Sequence, residues 1–371
     1  MKRSIFTLMV MFVVVAACIP APASTPPAGV TSPTQADSPT PAAAVTTAPV
    51  DLYVMTHDSF AVSKEVIATF QAENNISLHF VKGGDAGAMV NKAILTKDAS
   101  QADVIYGVDN TFLSRALDGG IFEPYASPGL KNIPDQYKLD AQNRALPVDY
   151  GDVCINYDKK YFAEHNLAVP QSFEDLVKPA YKGLLVVENP ATSSPGLAFM
   201  MATIAHFGPD QYLNYWKSLR DNGVEVVNGW ETAYYTNFSA SSGKGPQPMV
   251  VSYASSPAAE VIYATEKLTE SPTASLLSAG MCFRQIEFIG IVKGTKNRAA
   301  AEKFVDFALG KVFQEDMPLQ MFVYPVLDGA GIPVEFSQFA QTPEQPATLD
   351  PAEIGNNRDQ WITDWTKTVL Q

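Results

Sequence analysis

The stretch Asn189-Pro190-Ala191-Thr192-Ser193-Ser194-Pro195-Gly196-Leu197, followed by an apolar run over 198–204, is the place from which the chain is best read. Ahead of it, Gly183-Leu184-Leu185-Val186-Val187-Glu188 reads as a buried strand. A strand therefore enters a helix through a turn of small hydroxyl residues. Ser193 or Ser194 is placed to cap that helix, and Pro195 fits its first turn. Such a helix start presents free backbone N–H groups and a positive dipole end, which suits a phosphate or a carboxylate. A plain cap explains the same residues equally well. What favours a site is recurrence: Tyr253-Ala254-Ser255-Ser256-Pro257 follows the strand Met249-Val250-Val251-Ser252 and precedes a helical pattern over 258–265. Likewise Thr56-His57-Asp58-Ser59-Phe60 follows a strand over 51–55 and leads into a helical pattern over 62–70. Three such turns are what a binding crevice at the carboxyl ends of an α/β sheet needs.

Outward from these turns, strand and helix alternate. Strands are predicted over 76–81 and 103–106, and helices over 88–95, 111–117, 211–219, 297–309 and 351–370. Ser172 caps a short helix at Phe173-Glu174-Asp175-Leu176. The strands are mostly unbroken apolar runs, as in a parallel sheet covered on both faces. Two longer extended stretches, over 145–157 and 282–292, read as strands that cross from one lobe to the other and back. The polar segment 239–248 reads as a surface loop.

With 371 residues, 46% of them hydrophobic, the chain can fill a large core divided between two lobes. Lys2 and Arg3 precede an apolar run over 5–15 that ends in Val15-Ala16-Ala17-Cys18. This is a signal peptide, too short for a membrane span. Small residues before a cysteine resemble the bacterial lipoprotein cleavage site, which implies lipidation of Cys18. Residues 19–50 hold eight prolines and no aromatic residue, so they form a tether and not a core. At about 3 Å per residue it reaches roughly 100 Å. The formal charge is -13. An acidic chain of this kind disfavours nucleic acid and favours a cationic or mixed-charge ligand.

The residues offer little catalytic pattern. His57, His79, His165 and His206 form no His-Glu-x-x-His arrangement, and neither a nucleophile elbow nor a phosphate-binding Gly-x-x-x-x-Gly-Lys loop is present. Only His57 lies in a predicted crevice turn. Tyr234-Tyr235 invites a ferric-iron reading through phenolate oxygens, but helical aromatic packing is the role favoured for them.

Several separate segments, in order from residue 51 to the C-terminus, resemble the thiamine-binding proteins of bacterial ABC importers. They are Thr56-His57-Asp58-Ser59-Phe60-Ala61, Ala102-Asp103-Val104-Ile105-Tyr106-Gly107-Val108-Asp109-Asn110, Pro147-Val148-Asp149-Tyr150-Gly151 and 189–197. Further ones are Asn228-Gly229-Trp230-Glu231-Thr232-Ala233-Tyr234, 252–257, Val323-Tyr324-Pro325-Val326 and Gln360-Trp361-Ile362-Thr363-Asp364-Trp365. The resemblance implies a two-lobed periplasmic-binding-protein type II α/β fold, each lobe a mostly parallel sheet flanked by helices, joined by crossing hinge strands. On that pattern 1–18 is the lipoprotein signal, 19–50 the linker, 51–150 with about 285–330 lobe 1, 151–284 lobe 2, and 331–371 a C-terminal helical segment packing on the lobes. It also implies a monomer, anchored outside the cytoplasm through Cys18, that hands its ligand to an ABC permease and needs no cofactor or metal.

The implied ligand is thiamine, thiamine monophosphate or thiamine diphosphate, held between the lobes. The segment Gly83-Gly84-Asp85-Ala86-Gly87 looks like the family's acidic-glycine contact, so Asp85, Ala86 and Gly87 are expected at the ligand with His57, Asp58 and Ser59. Ser193 and Ser194 match the phosphate-binding helix start, Trp230 the cleft tryptophan, and Tyr253, Ala254, Ser255 and Ser256 the contact strand end. Trp230, Tyr253 and Phe322 are expected to stack the rings or attract the cation. The chain departs from the family at His57 and Ala259, each replacing a tyrosine, and at Phe322, replacing a tryptophan. The crossing strands lie side by side in this fold class, so a hinge disulfide between Cys154 and Cys282 is expected. Two rivals share the fold: a ferric-iron or other cation binder, and a cysteine-type thiaminase with Cys154 as nucleophile.

Overall fold

The apolar runs become the strands of one sheet. In the computed structural model, which describes residues 48–240 and 244–371, the first half of the chain supplies β1 (Val50–Thr56), β2 (Ile76–Lys82), β3 (Val104–Asp109), β4 (Phe122–Glu123) and β5 (Leu146–Asp158). The second half supplies β6 (Leu185–Glu188), β7 (Glu225–Val227), β8 (Met249–Tyr253), β9 (Thr273–Leu276), β10 (Phe283–Val292) and β11 (Tyr324–Pro325). Their order is β2-β1-β3-β10-β5-β8-β6-β7, with β4 beside β10, and β9 and β11 beside β5. β1 is parallel to β2 and β3, and β6 is parallel to β7 and β8. β10 and β5 run antiparallel to each other and to their outer neighbours β3 and β8. Two mostly parallel halves therefore meet at the two stretches read as crossing strands. β3 and β6 are buried along their whole length, which is why they are continuous apolar runs instead of alternating ones.

Helix starts follow the caps. Ser63 accepts from the Val66 N–H, so the helix expected over 62–70 begins at Lys64 and runs to Asn74. Asp85 caps Ala86–Leu95 and Ser172 caps Phe173–Leu176 in the same way. The helix Ser194–Phe207 has Ser193 at its cap position with extended backbone and a proline in its first turn. Contrary to expectation, the Ser193 hydroxyl makes no cap hydrogen bond. The turn closes instead on Asn189, whose carbonyl accepts from Thr192 and Ser193 N–H and whose side chain accepts from Ala191 N–H. Residues 194–204 are all buried, as an apolar helix without a polar face requires.

The C-terminal helix Pro351–Val369 packs Trp365 edge-on against Trp216, with ring centroids 5.3 Å apart. Cys154 and Cys282 form a disulfide with their Cα atoms 4.4 Å apart. It joins β5 to the residue preceding β10, beside the Val153–Phe283 pair. The segments expected to be signal peptide, lipidation site Cys18 and linker, up to residue 47, lie outside the described residues, as does 241–243 of the predicted loop. The strands missed by sequence reading, β4, β7, β9 and β11, are two to four residues long. That is too short for a period of two to register.

Candidate functional site

The three hydroxyl-rich turns converge. The turn after β1 brings His57, Asp58 and Ser59 to a cavity of about 370 Å³, the turn after β6 brings Ser194 and Pro195, and the end of β8 brings Tyr253 and Ser256. Asp85, Trp230 and Phe322 complete the set of expected residues in its wall. Glu231, Tyr234, Tyr235, Tyr263, Glu287 and Met321 also line it. Among the described lining residues there are four carboxylates and no lysine or arginine. This interior suits a cation with flat apolar surfaces.

Trp230 organises one wall. Its indole stacks on Tyr234 with ring centroids 5.0 Å apart, and its Nε1–H donates to Ser252 Oγ at 2.9 Å. Ser252 shares a second hydrogen bond with Ser256 Oγ, so the tryptophan is oriented from β8. Tyr253 donates its hydroxyl to Gln285 of β10 at 2.8 Å, which fixes its ring across the two halves. Phe322 adopts φ 56°, a left-handed conformation that bulky residues rarely take. Ser255 donates its hydroxyl to the Phe322 carbonyl. Ser255 thus holds Phe322 in place and does not itself line the cavity.

Four other expected contacts also lie behind the wall. Ala254 is buried against the disulfide, and Ser193 is fully buried beneath the helix start. Ala86 and Gly87 are buried where the start of Ala86–Leu95 meets the 189–193 turn. There the Ala88 N–H donates to the Thr192 carbonyl at 3.1 Å. A Cβ on Gly87 would lie 2.9 Å from that same carbonyl, so only glycine permits the approach. Asp85 bridges the two halves as well: one carboxylate oxygen accepts from Ala86 N–H at 2.6 Å and the other from Trp230 N–H at 2.9 Å. Burial, opposed by these hydrogen bonds, leaves the Asp85 pKa raised. Asp58 accepts from Gly84 N–H at 3.2 Å and so ties the 83–85 turn to the cavity wall.

Tyr234, Tyr235 and Glu231 entered the site unforeseen. Trp230–Thr232 is a single helical turn that passes into a π-helical turn, Ala233–Asn237. A wider turn of that kind brings the consecutive tyrosines to the cavity together. The sequence alone left this tyrosine pair between helical packing and phenolate ligation of ferric iron. Three of the four lining phenol groups have separate acceptors: Tyr234 donates to Glu260, Tyr253 to Gln285, and Tyr263 to the Leu319 carbonyl. Burial raises the pKa of all four. Burial of all four phenols and the hydrogen bonds of three favour the neutral form, which disfavours phenolate ligation of ferric iron. Cys154 is fully buried and oxidised, so it offers no thiolate for nucleophilic attack.

Glu188, at the end of β6, is fully buried with neither carboxylate oxygen partnered among the described residues. Burial, and next the nearby Asp85, push its pKa well above the usual carboxylate range. A raised folded-state pKa stabilises the protein below the unfolded-state value and loses that contribution as pH rises through the folded-state value. Glu188→Gln, which cannot ionise, is therefore expected to match the natural chain in Tm near pH 4 and to exceed it by about 1.5 °C at pH 8, the shift for ~1 kcal/mol in a chain this large. Thermal melts at the two pH values check this; equal Tm at both contradicts it.

Residues 99–347 match the family model described as bacterial extracellular solute-binding protein. The chain is 30% identical over 335 residues to the thiamine-binding periplasmic protein of Salmonella typhimurium, covering 88% of this chain and 96% of that one. Among solved structures it is similar to a periplasmic thiamin binding protein, with TM-score 0.76 and 26% identity over 87% of this chain and 97% of the other. Iron-bound HitA from Pseudomonas aeruginosa shares the fold at TM-score 0.70 and 19% identity, over 86% of this chain and 99% of that one. The architecture is the periplasmic-binding-protein type II α/β fold, and the chain belongs to the bacterial extracellular solute-binding protein family.

Proposed function

We propose that this protein is the extracytoplasmic capture component of an ABC importer, binding thiamine or a phosphate ester of it between two lobes. The observation that carries the reading is the cavity itself, walled by Trp230, Tyr253 and Phe322 and edged by Asp58, Asp85, Glu231 and Glu287. An aminopyrimidine and a thiazolium cation need flat aromatic faces and nearby negative charge. The similarity to proteins named for thiamine binding agrees with that chemistry. Residues 51–150 with about 285–330 form one lobe in this reading, 151–284 the other, and 331–371 pack against them. Closure is a population shift driven by ligand contacts to both lobes, with Asp85 and the Thr192 carbonyl meeting their partners as the gap narrows. No bond is made or broken in the ligand, and the protein acts as a monomer. Lipidated Cys18 and the proline-rich tether keep it at the membrane beside its permease.

Mass spectrometry of small molecules released from freshly purified protein tests the assignment. Thiamine or one of its phosphates in near-stoichiometric amount supports it; a sugar phosphate or ferric ion in that amount contradicts it.

A further inference from the structure

Strand β10 carries a carboxylate that the stacking walls do not explain. Glu287 stands between the apolar residues Ile286 and Phe288 and is 6% exposed. It lines the cavity. Its Oε2 has no hydrogen-bond partner among the described residues, and neither has Nε2 of His57. The two atoms lie 3.4 Å apart, close enough for charge attraction but not aligned as a hydrogen bond. Apart from this charge pairing neither atom is satisfied, which is costly for buried polar atoms, so both are poised to turn to groups a ligand brings into the cavity their residues line.

The surroundings define which groups. His57 is held from beneath by Gly107, which has φ 95° and would place a Cβ 2.2 Å from the imidazole Cδ2. The ring is thereby fixed against β3. Burial opposes the charged imidazole, but Glu287 and Asp85 outweigh it, with Lys82 acting the other way, and the His57 pKa is raised. Across the ladder, Asp149 of β5 faces Glu287 and receives the Tyr106 hydroxyl. Asp109 is satisfied by Thr111 and Gln285. Tyr253, whose hydroxyl goes to Gln285, closes the same side. The cavity floor therefore offers one strong acceptor, Glu287, and one ring N–H donor, His57, side by side.

We infer that Glu287 and His57 read the amino edge of the ligand's pyrimidine, Glu287 accepting from the exocyclic amine and His57 Nε2 donating to the neighbouring ring nitrogen. This rests on the thiamine reading and deepens it. Paired, parallel hydrogen bonds to adjacent atoms of a planar edge give strong orientation. A site built to satisfy a ligand N–H rejects an analogue lacking it, because its own buried acceptor is left unpaired.

The test is calorimetric titration of the full chain with thiamine and with oxythiamine, in which oxygen replaces the pyrimidine amine. The natural chain is expected to bind thiamine about 100-fold tighter than oxythiamine. Glu287→Gln, whose amide can donate to that oxygen, is expected to lose thiamine affinity at least about 30-fold and to bring the two ligands within about fivefold of each other. A folded Glu287→Gln protein with unchanged thiamine affinity and unchanged preference overturns the inference while the thiamine reading stands. Should that variant fail to fold, equal binding of both ligands by the natural chain overturns it alone. If the natural chain binds neither ligand, the thiamine reading itself fails.

Discussion

Replacing Trp230 with alanine is expected to raise the dissociation constant for thiamine roughly 100-fold, the loss of ~3 kcal/mol typical of truncating a central aromatic anchor. The size of the effect follows from what the indole holds as well as what it touches. Trp230 stacks on Tyr234 and is pinned through Nε1 to Ser252, so its removal loosens a whole wall of the cavity. Its backbone N–H, which reaches Asp85 from the opposite half, stays in the alanine variant. The closing contact is therefore retained, and the measured loss reports the ring. Trp230→Phe, keeping a flat face but not the Ser252 hydrogen bond, is expected to recover about half of the lost binding free energy, as an aromatic face retains its stacking. Titration calorimetry of the three proteins checks this; an unchanged affinity for Trp230→Ala removes the indole from the site.

Replacing both Cys154 and Cys282 with serine is expected to lower stability by about 5 kcal/mol on the loop-closure account of a cross-link. The two cysteines are 128 residues apart in sequence, so the bond removes a large loop from the unfolded ensemble. In a chain of this size that corresponds to a fall in Tm of about 7 °C. Both sulfurs are fully buried behind the strand ends and neither lines the cavity. Thiamine affinity is expected to change less than about threefold, since the β5–β10 ladder keeps the crossing strands in register without the bond. A Tm within 2 °C of the natural chain, on the scale set by chains of this size, would show that the cross-link contributes nothing to the folded state's advantage.

The outline of the molecule was legible because its central strands are apolar runs and several of its helices, Lys64–Asn74, Ala86–Leu95 and Pro351–Val369 among them, begin at Ser or Asp caps. The crossing pair 145–157 and 282–292 stood out by length and became β5 and β10. The strand-to-helix turns also announced themselves, since small hydroxyl residues there serve no core. What stayed hidden depends on packing between distant segments. Glu287 sits in a stretch that reads as plain strand, and its contact with His57 exists only because β10 lies beside β3. The lone charge among Ile286, Phe288 and Ile289 was nonetheless a signal, because a carboxylate in a buried strand is rare unless it has work there. Ala86, Gly87 and Ser193 were expected at the ligand, yet they pack the two halves together. A residue at a helix start faces either the cavity or the neighbouring turn, and sequence does not distinguish the two. Tyr235 needed the wider π turn to reach the cavity, which no spacing rule for an α-helix anticipates.

The central claim is that a cavity walled by Trp230, Tyr253 and Phe322 and edged by carboxylates closes around thiamine. Titration of the purified protein, freed of bound small molecules, measures this directly, with ferric salt as the parallel arm. The account predicts one thiamine bound per chain with a dissociation constant below about 1 μM, and no phenolate absorption band on adding iron. Absence of saturable thiamine binding, together with a strong phenolate band, would contradict it.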